Sequence, residues 1–113
     1  MQHAEALAFV GDAALSLVVA ERLYADDPGA PVGVLTPRRA DVVAGTTLAR
    51  WAGAIGLGEL LRLGRGEDQT GGRARPSILA TALEALLGVV YLETGLAAVR
   101  GVVARLEGDA VVG

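Results

Sequence analysis

Hydrophobic and polar positions along the chain divide it into helical runs separated by glycine- and proline-rich breaks. From Ala4 to about Ala25 the residues are strong helix formers, and Asp26-Asp27-Pro28-Gly29 stops them. Thr36 before Pro37 predicts an N-cap with proline at the first helical position, opening a helix through about Ala54 that Gly56 ends. Leu57 to Leu63 suits a short helix. A glycine-rich polar stretch follows, Gly64 to Arg75 (GRGEDQTGGRAR). Pro76 then opens a helix to about Glu93, and a last helix, Leu96 to Glu107, follows Gly95. No alternating strand pattern of useful length and no internal repeat is present, so the expected class is all-α.

Two acids stand alone inside the most apolar of these runs. Asp12 is the only charge in ALAFVGDAALSLVVA (Ala6 to Ala20), and Glu84 the only charge in SILATALEALLGVVYL (Ser77 to Leu92). A carboxylate buried without a partner costs several kcal/mol at least, roughly, so it is neutralised, hydrogen-bonded or bound to a cation. Two helices that bring these carboxylates together need a proton or a metal between them. Either a divalent-metal site or a pair of core acids satisfied by backbone or arginine fits that pattern.

At 113 residues the chain has the length of one domain, 1–113, with a single core. The hydrophobic fraction of 52% is high, yet no stretch reaches the ~20 uncharged residues of a membrane span. The surplus predicts an apolar face used for self-association and no membrane partner. The absence of cysteine excludes a disulfide framework and a thiolate metal site. No signal peptide is evident at MQHAEALAF, which predicts a cytoplasmic location. The net charge of −3 argues against a general nucleic-acid binder, although a metal-dependent nuclease must carry carboxylates and can confine its positive charge to one face.

All ten basic residues are arginine. Arg65, Arg73 and Arg75 lie in the glycine-rich stretch, whose composition suits either phosphate contact with an RNA duplex read by shape, or a solvated surface loop. It lacks the Gly-Lys-Ser/Thr of a P-loop. Arg38 and Arg39 either extend a basic strip or pair with Asp41 and Glu21. On the first helix Glu5, Ala8 and Asp12 share a face, and Thr81 sits one turn before Glu84. Glu5 is either a rim residue of the site or a solvated first-turn acid. Trp51, Tyr24 and Tyr91 read as core aromatics.

HAEALAFVGDAAL (His3 to Leu15) resembles the ribonuclease III signature segment. The resemblance continues through Arg39-Ala40, Thr70-Gly71-Gly72, Pro76-Ser77-Ile78-Leu79-Ala80 and Glu84-Ala85-Leu86-Leu87-Gly88, in order over nearly the whole chain. It implies a helical endonuclease domain forming a twofold homodimer, with Phe9 an aromatic knob at the dimer interface. It also implies Mg²⁺, with Mn²⁺ as substitute, held by Asp12 and Glu84 as catalytic residues. Glu5 and Thr81 would stand at the rim or behind the ligands, and Arg39, Arg65, Arg73 and Arg75 would bind double-stranded or structured RNA. Such a dimer cuts each strand once, leaving 3′ overhangs.

Typical members carry four carboxylates, two per helix; here Ala8 and Thr81 occupy two of those positions, and Val32 a further acidic one. At these positions the chain is similar to the Mini-ribonuclease III branch, with Ala8 to Ala13 and Ala80 to Leu86 as the matching segments. The family's helices upstream of the signature and its double-stranded-RNA-binding domain are expected to be absent. The reduced acid set also admits a catalytically inactive dimer serving as a binding or assembly module, or the fold recruited to a small-molecule reaction.

Overall fold

The computed structural model describes residues 2–58 and 75–112, with side chains described for 3–58 and 75–108. The described residues form five helices and no strand: α1 (Gln2–Asp26), α2 (Val32–Val42), α3 (Gly45–Ala54), α4 (Pro76–Thr94) and α5 (Leu96–Val112). The all-α expectation holds. Most of the expected Leu57 to Leu63 helix lies outside the described residues.

α1 and α4 form the most extensive helix pair, and α3 and α5 pack around it. Leu15, Val19, Leu48, Trp51, Leu83, Leu87, Val99, Val103 and Leu106 make the dry centre. Every one of α1, α3, α4 and α5 contributes to it, which gives one core and one helical body. α4 is apolar and long enough to cross a membrane, but in this fold it is the helix the others pack on.

Helix ends follow the local chemistry where proline and glycine set it. Pro76 occupies the first turn of α4, where a missing N–H leaves nothing unpaired. Gly95, at φ 97°, turns the chain between α4 and α5 and donates its N–H to the Tyr91 carbonyl at 2.8 Å.

The stretch between α1 and α3 departs from expectation. Instead of one helix from Thr36 to Ala54 there are two, and the first begins at Val32 with Pro37 inside it. The helix nucleates on the Pro31 carbonyl, which accepts from Val34 and Leu35 at 2.9 and 3.1 Å. Pro37 leaves the Gly33 carbonyl without its helical donor, and the exposure of Gly33 lets water replace it. The break falls at Val43–Ala44 because the Thr47 hydroxyl donates to the Asp41 carbonyl at 3.0 Å, satisfying an acceptor at the end of α2. After the break, α3 aims Leu48, Trp51 and Ala52 into the core.

Ion pairs tie α1 to α5. Arg100 donates to both carboxylate oxygens of Glu21 at 3.0 and 3.3 Å, and Arg22 pairs with Glu107. The Glu21 carboxylate raises the affinity of Arg100 for its proton. Arg38 pairs with Asp27 at 3.3 Å and Glu21 with Arg100, so Arg38 and Glu21 take other partners than the pairing the sequence offered as one alternative.

Candidate functional site

At the crossing of α1 and α4 the two backbones touch. A Cβ built on Gly11 would lie 1.7 Å from the Glu84 carbonyl oxygen, and one on Gly88 would lie 2.1 Å from the Leu7 carbonyl oxygen. Helices normally pack with axes 8–10 Å apart because side chains stand between them, and here glycine removes that spacer on both sides. The contact is flanked by Asp12, next to Gly11, and by Glu84 itself.

The Asp12 carboxyl lies close enough to that of Glu84 to act on its proton. Partial burial pushes the Glu84 carboxyl up to about 7, helped by the neighbouring Asp12 carboxyl and its negative charge. Glu84 therefore keeps its proton to near neutrality unless another positive charge takes the proton's place.

Neither acid is buried in the core, contrary to the reading of their apolar surroundings. Asp12 is exposed and Glu84 half-buried, and no charged residue among those described is buried. The reason lies in their neighbours: Phe9, Ala13 and Leu17 on α1 and Leu86, Val89 and Leu92 on α4 are exposed as well. Apolar sequence around each acid reflects an outward apolar face as much as the core.

One turn before the acids stand Ala8, buried in the α1–α4 contact, and Thr81, exposed. Glu5 is exposed two turns before Asp12. Among the described residues no group of three His, Cys, Asp or Glu is positioned to hold a metal, so Glu5 does not join the pair. Among the described residues the two carboxylates, with Thr81 one turn before Glu84, offer oxygen ligands of the kind hard cations take.

Arg39 lies on exposed α2 and lines a groove of about 270 Å³ with Ala20, Leu23, Tyr24, Val32 and Leu35. Arg75 is exposed at the N-terminus of α4. Arg65 and Arg73 lie outside the described residues.

Phe9 is 79% exposed on the outward face of α1 and opens a second groove with Val10, Ala13, Leu17, Tyr91 and Leu96. The core reading of the aromatics holds for Trp51 alone. Tyr91 is 40% exposed at the rim of that groove and Tyr24 is 66% exposed. The glycine pair was the feature sequence reasoning missed: Gly11 and Gly88 each fall inside an apolar run, in helices that glycine ordinarily weakens.

Comparison with known proteins agrees with this architecture. A family model described as Ribonuclease-III-like matches residues 1–107. Ribonuclease 3 of Desulforamulus reducens is 51% identical over 94 residues, covering 83% of this chain and 38% of the relative. Ribonuclease 3 of Heliobacterium modesticaldum is 46% identical over 110 residues, covering 97% of this chain and 47% of the relative. The chain thus spans less than half the length of these relatives. The crystallised nuclease domain of ribonuclease III from Campylobacter jejuni, described for flexibility in a region involved in dimer formation, superposes with a TM-score of 0.85 at 37% identity. That match covers 91% of this chain and 72% of the crystallised one.

Proposed function

Because the chain belongs to the ribonuclease-III-like family, we propose that it is a divalent-metal-dependent endoribonuclease of double-stranded or structured RNA, a cytoplasmic homodimer with the reduced carboxylate set of the Mini-ribonuclease III branch. The observation that carries this reading is the Asp12–Glu84 pair. With partial burial and the neighbouring Asp12 pushing the Glu84 carboxyl up to about 7, its ionised form is disfavoured near neutrality, and a cation between the two acids would offset that cost. An all-oxygen donor set suits Mg²⁺, with Mn²⁺ as substitute.

Asp12 and Glu84 would hold the ion from two helices. The ion's contribution is to offset charge at a phosphodiester and to activate water for hydrolysis. Thr81 and Glu5 stand at the rim. Arg39 and Arg75, with Arg65 and Arg73 of the glycine-rich stretch, bind backbone phosphate and orient the duplex without reading its sequence. The Phe9 face is the dimer contact, since a large exposed aromatic in an apolar groove marks an association surface.

The test is cleavage of a panel of duplex RNAs by purified protein with Mg²⁺ or Mn²⁺. Wild type cuts, and Asp12→Asn, which keeps shape but removes the anionic ligand, does not, while remaining folded and dimeric. A wild type that cuts none of them, with no metal binding in calorimetry that Asp12→Asn removes, replaces this reading with that of a non-catalytic binding module.

A further inference from the structure

We infer that Gly11 and Gly88 are positioning residues: by letting the α1 and α4 backbones touch, they fix the reach between Asp12 and Glu84 at the distance a shared cation needs. This deepens the metal-centre reading and rests on it for its consequence, although the spacing itself is a property of the two helices.

The contact is backbone against backbone at the acids themselves. The group that Gly11 meets is the carbonyl of Glu84, and Gly11 is the residue before Asp12. One turn along α4, Gly88 meets the Leu7 carbonyl, one turn before Gly11 on α1. Two contacts a turn apart on each helix set both the separation and the crossing angle, so neither helix can slide or tilt without losing one of them. The side chains of Asp12 and Glu84 leave from this fixed frame.

A methyl group cannot be absorbed here by moving a side chain. Its neighbours would be main-chain atoms at 1.7 and 2.1 Å, whereas real Cβ atoms do not approach closer than 3.0 Å. Alanine at position 88 must therefore part the helices by about 1 Å, a shift that close-packed interiors transmit to both acids. The exposed Gly101 of α5 has nothing within 4 Å and serves as the control position.

The chain has no cysteine, so a thiol pair reports the spacing without any metal. Asp12→Cys with Glu84→Cys forms an intramolecular disulfide under mild oxidation, because bridging requires Cβ atoms within about 4.5 Å. Adding Gly88→Ala or Gly11→Ala slows bridging at least ten-fold and adding Gly101→Ala leaves it unchanged. Failure of the thiol pair to bridge in the glycine-containing chain, or bridging at the same rate in a folded Gly88→Ala protein, overturns the inference.

With the acids in place, Gly88→Ala weakens Mn²⁺ binding in calorimetry at least ten-fold, and Asp12→Glu, one methylene longer, restores it in that background while weakening it in wild type. A purely structural glycine lowers thermal stability and shows no such rescue, which would overturn the assignment. Should Gly88→Ala fail to fold, a length exchange carries the test. Asp12→Glu and Glu84→Asp each weaken Mn²⁺ binding, and the double variant, with the same summed reach, recovers it; single variants that bind like wild type overturn the inference. A wild type that binds no Mn²⁺ removes the metal centre, and the disulfide rates alone then decide the spacing.

Discussion

Glu84 on α4 lies beside Asp12 on α1, and partial burial, reinforced by this acid neighbour from a helix distant in sequence, pushes the Glu84 carboxyl up to about 7. A carboxyl whose affinity for a proton is raised by folding contributes stability while it is protonated in both states, below its ordinary value of 4.5. That contribution is lost as pH rises through about 7, where the folded pair must ionise against itself.

In metal-free buffer, thermal stability should therefore fall between about pH 5 and pH 8 by a component that Glu84→Gln removes. Glu84→Gln melts higher than wild type at pH 8 without metal and loses that advantage when Mg²⁺ is added. Melting curves across the pH range, with and without chelator, check the sign. Equal slopes in the two proteins would show that the pair does not govern the dependence.

Metal binding should follow the same proton in the opposite direction. A cation displaces the proton held by Glu84, so Mn²⁺ affinity rises with pH up to about 7 and levels off above it. Calorimetry in buffers of different ionisation enthalpy measures the proton released on binding. Binding that releases none, at a pH below about 7, contradicts the competition.

Phe9→Glu places a charge on the outward face of α1, where Phe9 is 79% exposed and so contributes little to the protomer's own core. The variant should keep the helical content and melting behaviour of the protomer while sedimenting as a monomer, because the charge would be desolvated in a dimer contact. Sedimentation of wild type and variant over a concentration series is the measurement; an unchanged association would remove Phe9 from the interface.

Arg39→Ala and Arg75→Ala, both at exposed positions, should weaken duplex-RNA binding irrespective of sequence. Each should reduce the slope of log affinity against log salt by roughly one at most. Filter binding across a salt series on two unrelated duplexes tests both claims. A loss confined to one sequence would point to base contact instead.

Leu83→Ala should cost about 2–5 kcal/mol of stability, as large-to-small changes do in a close-packed core. Leu83 is fully buried among α1, α3 and α5 residues, so no surface remains to collapse into the space. Removing the Glu21 carboxylate from the solvent-exposed Arg100 should cost far less, and less still at high salt. Urea unfolding of the two variants separates core from surface.

The sequence was legible where one residue type dictates a backbone geometry. Pro76 and Gly95 bound α4 because a ring without an N–H and a turn at φ 97° leave few alternatives. The meeting of Asp12 and Glu84 was legible too, since each stood alone against an apolar background. Their exposure was not, because hydropathy does not tell a helix face turned to the core from one turned outward. Phe9 and Trp51 look alike as apolar aromatics, yet one is 79% and the other 2% exposed. Pro37 misled for the same reason: its usual place at a helix start yields where Pro31 offers an earlier one and the helix interior faces water. The touch of Gly11 on Glu84 depends on two helices distant in sequence, and only the fold displays it.

α2 contains no buried residue, and Val42 at its end is its only side chain packed, half-buried, against the core. Its hydrogen-bond ladder lacks a rung at Pro37. Such a segment is a separate opening unit whose amides exchange with solvent at free energies well below that of global unfolding. Arg39 thus rides on an element able to melt and re-form while Leu15, Leu83 and Trp51 stay packed. Under the proposed function an arm of that kind would trade rigidity for compliance, following variation in phosphate spacing while the acid pair on α1 and α4 stays in place.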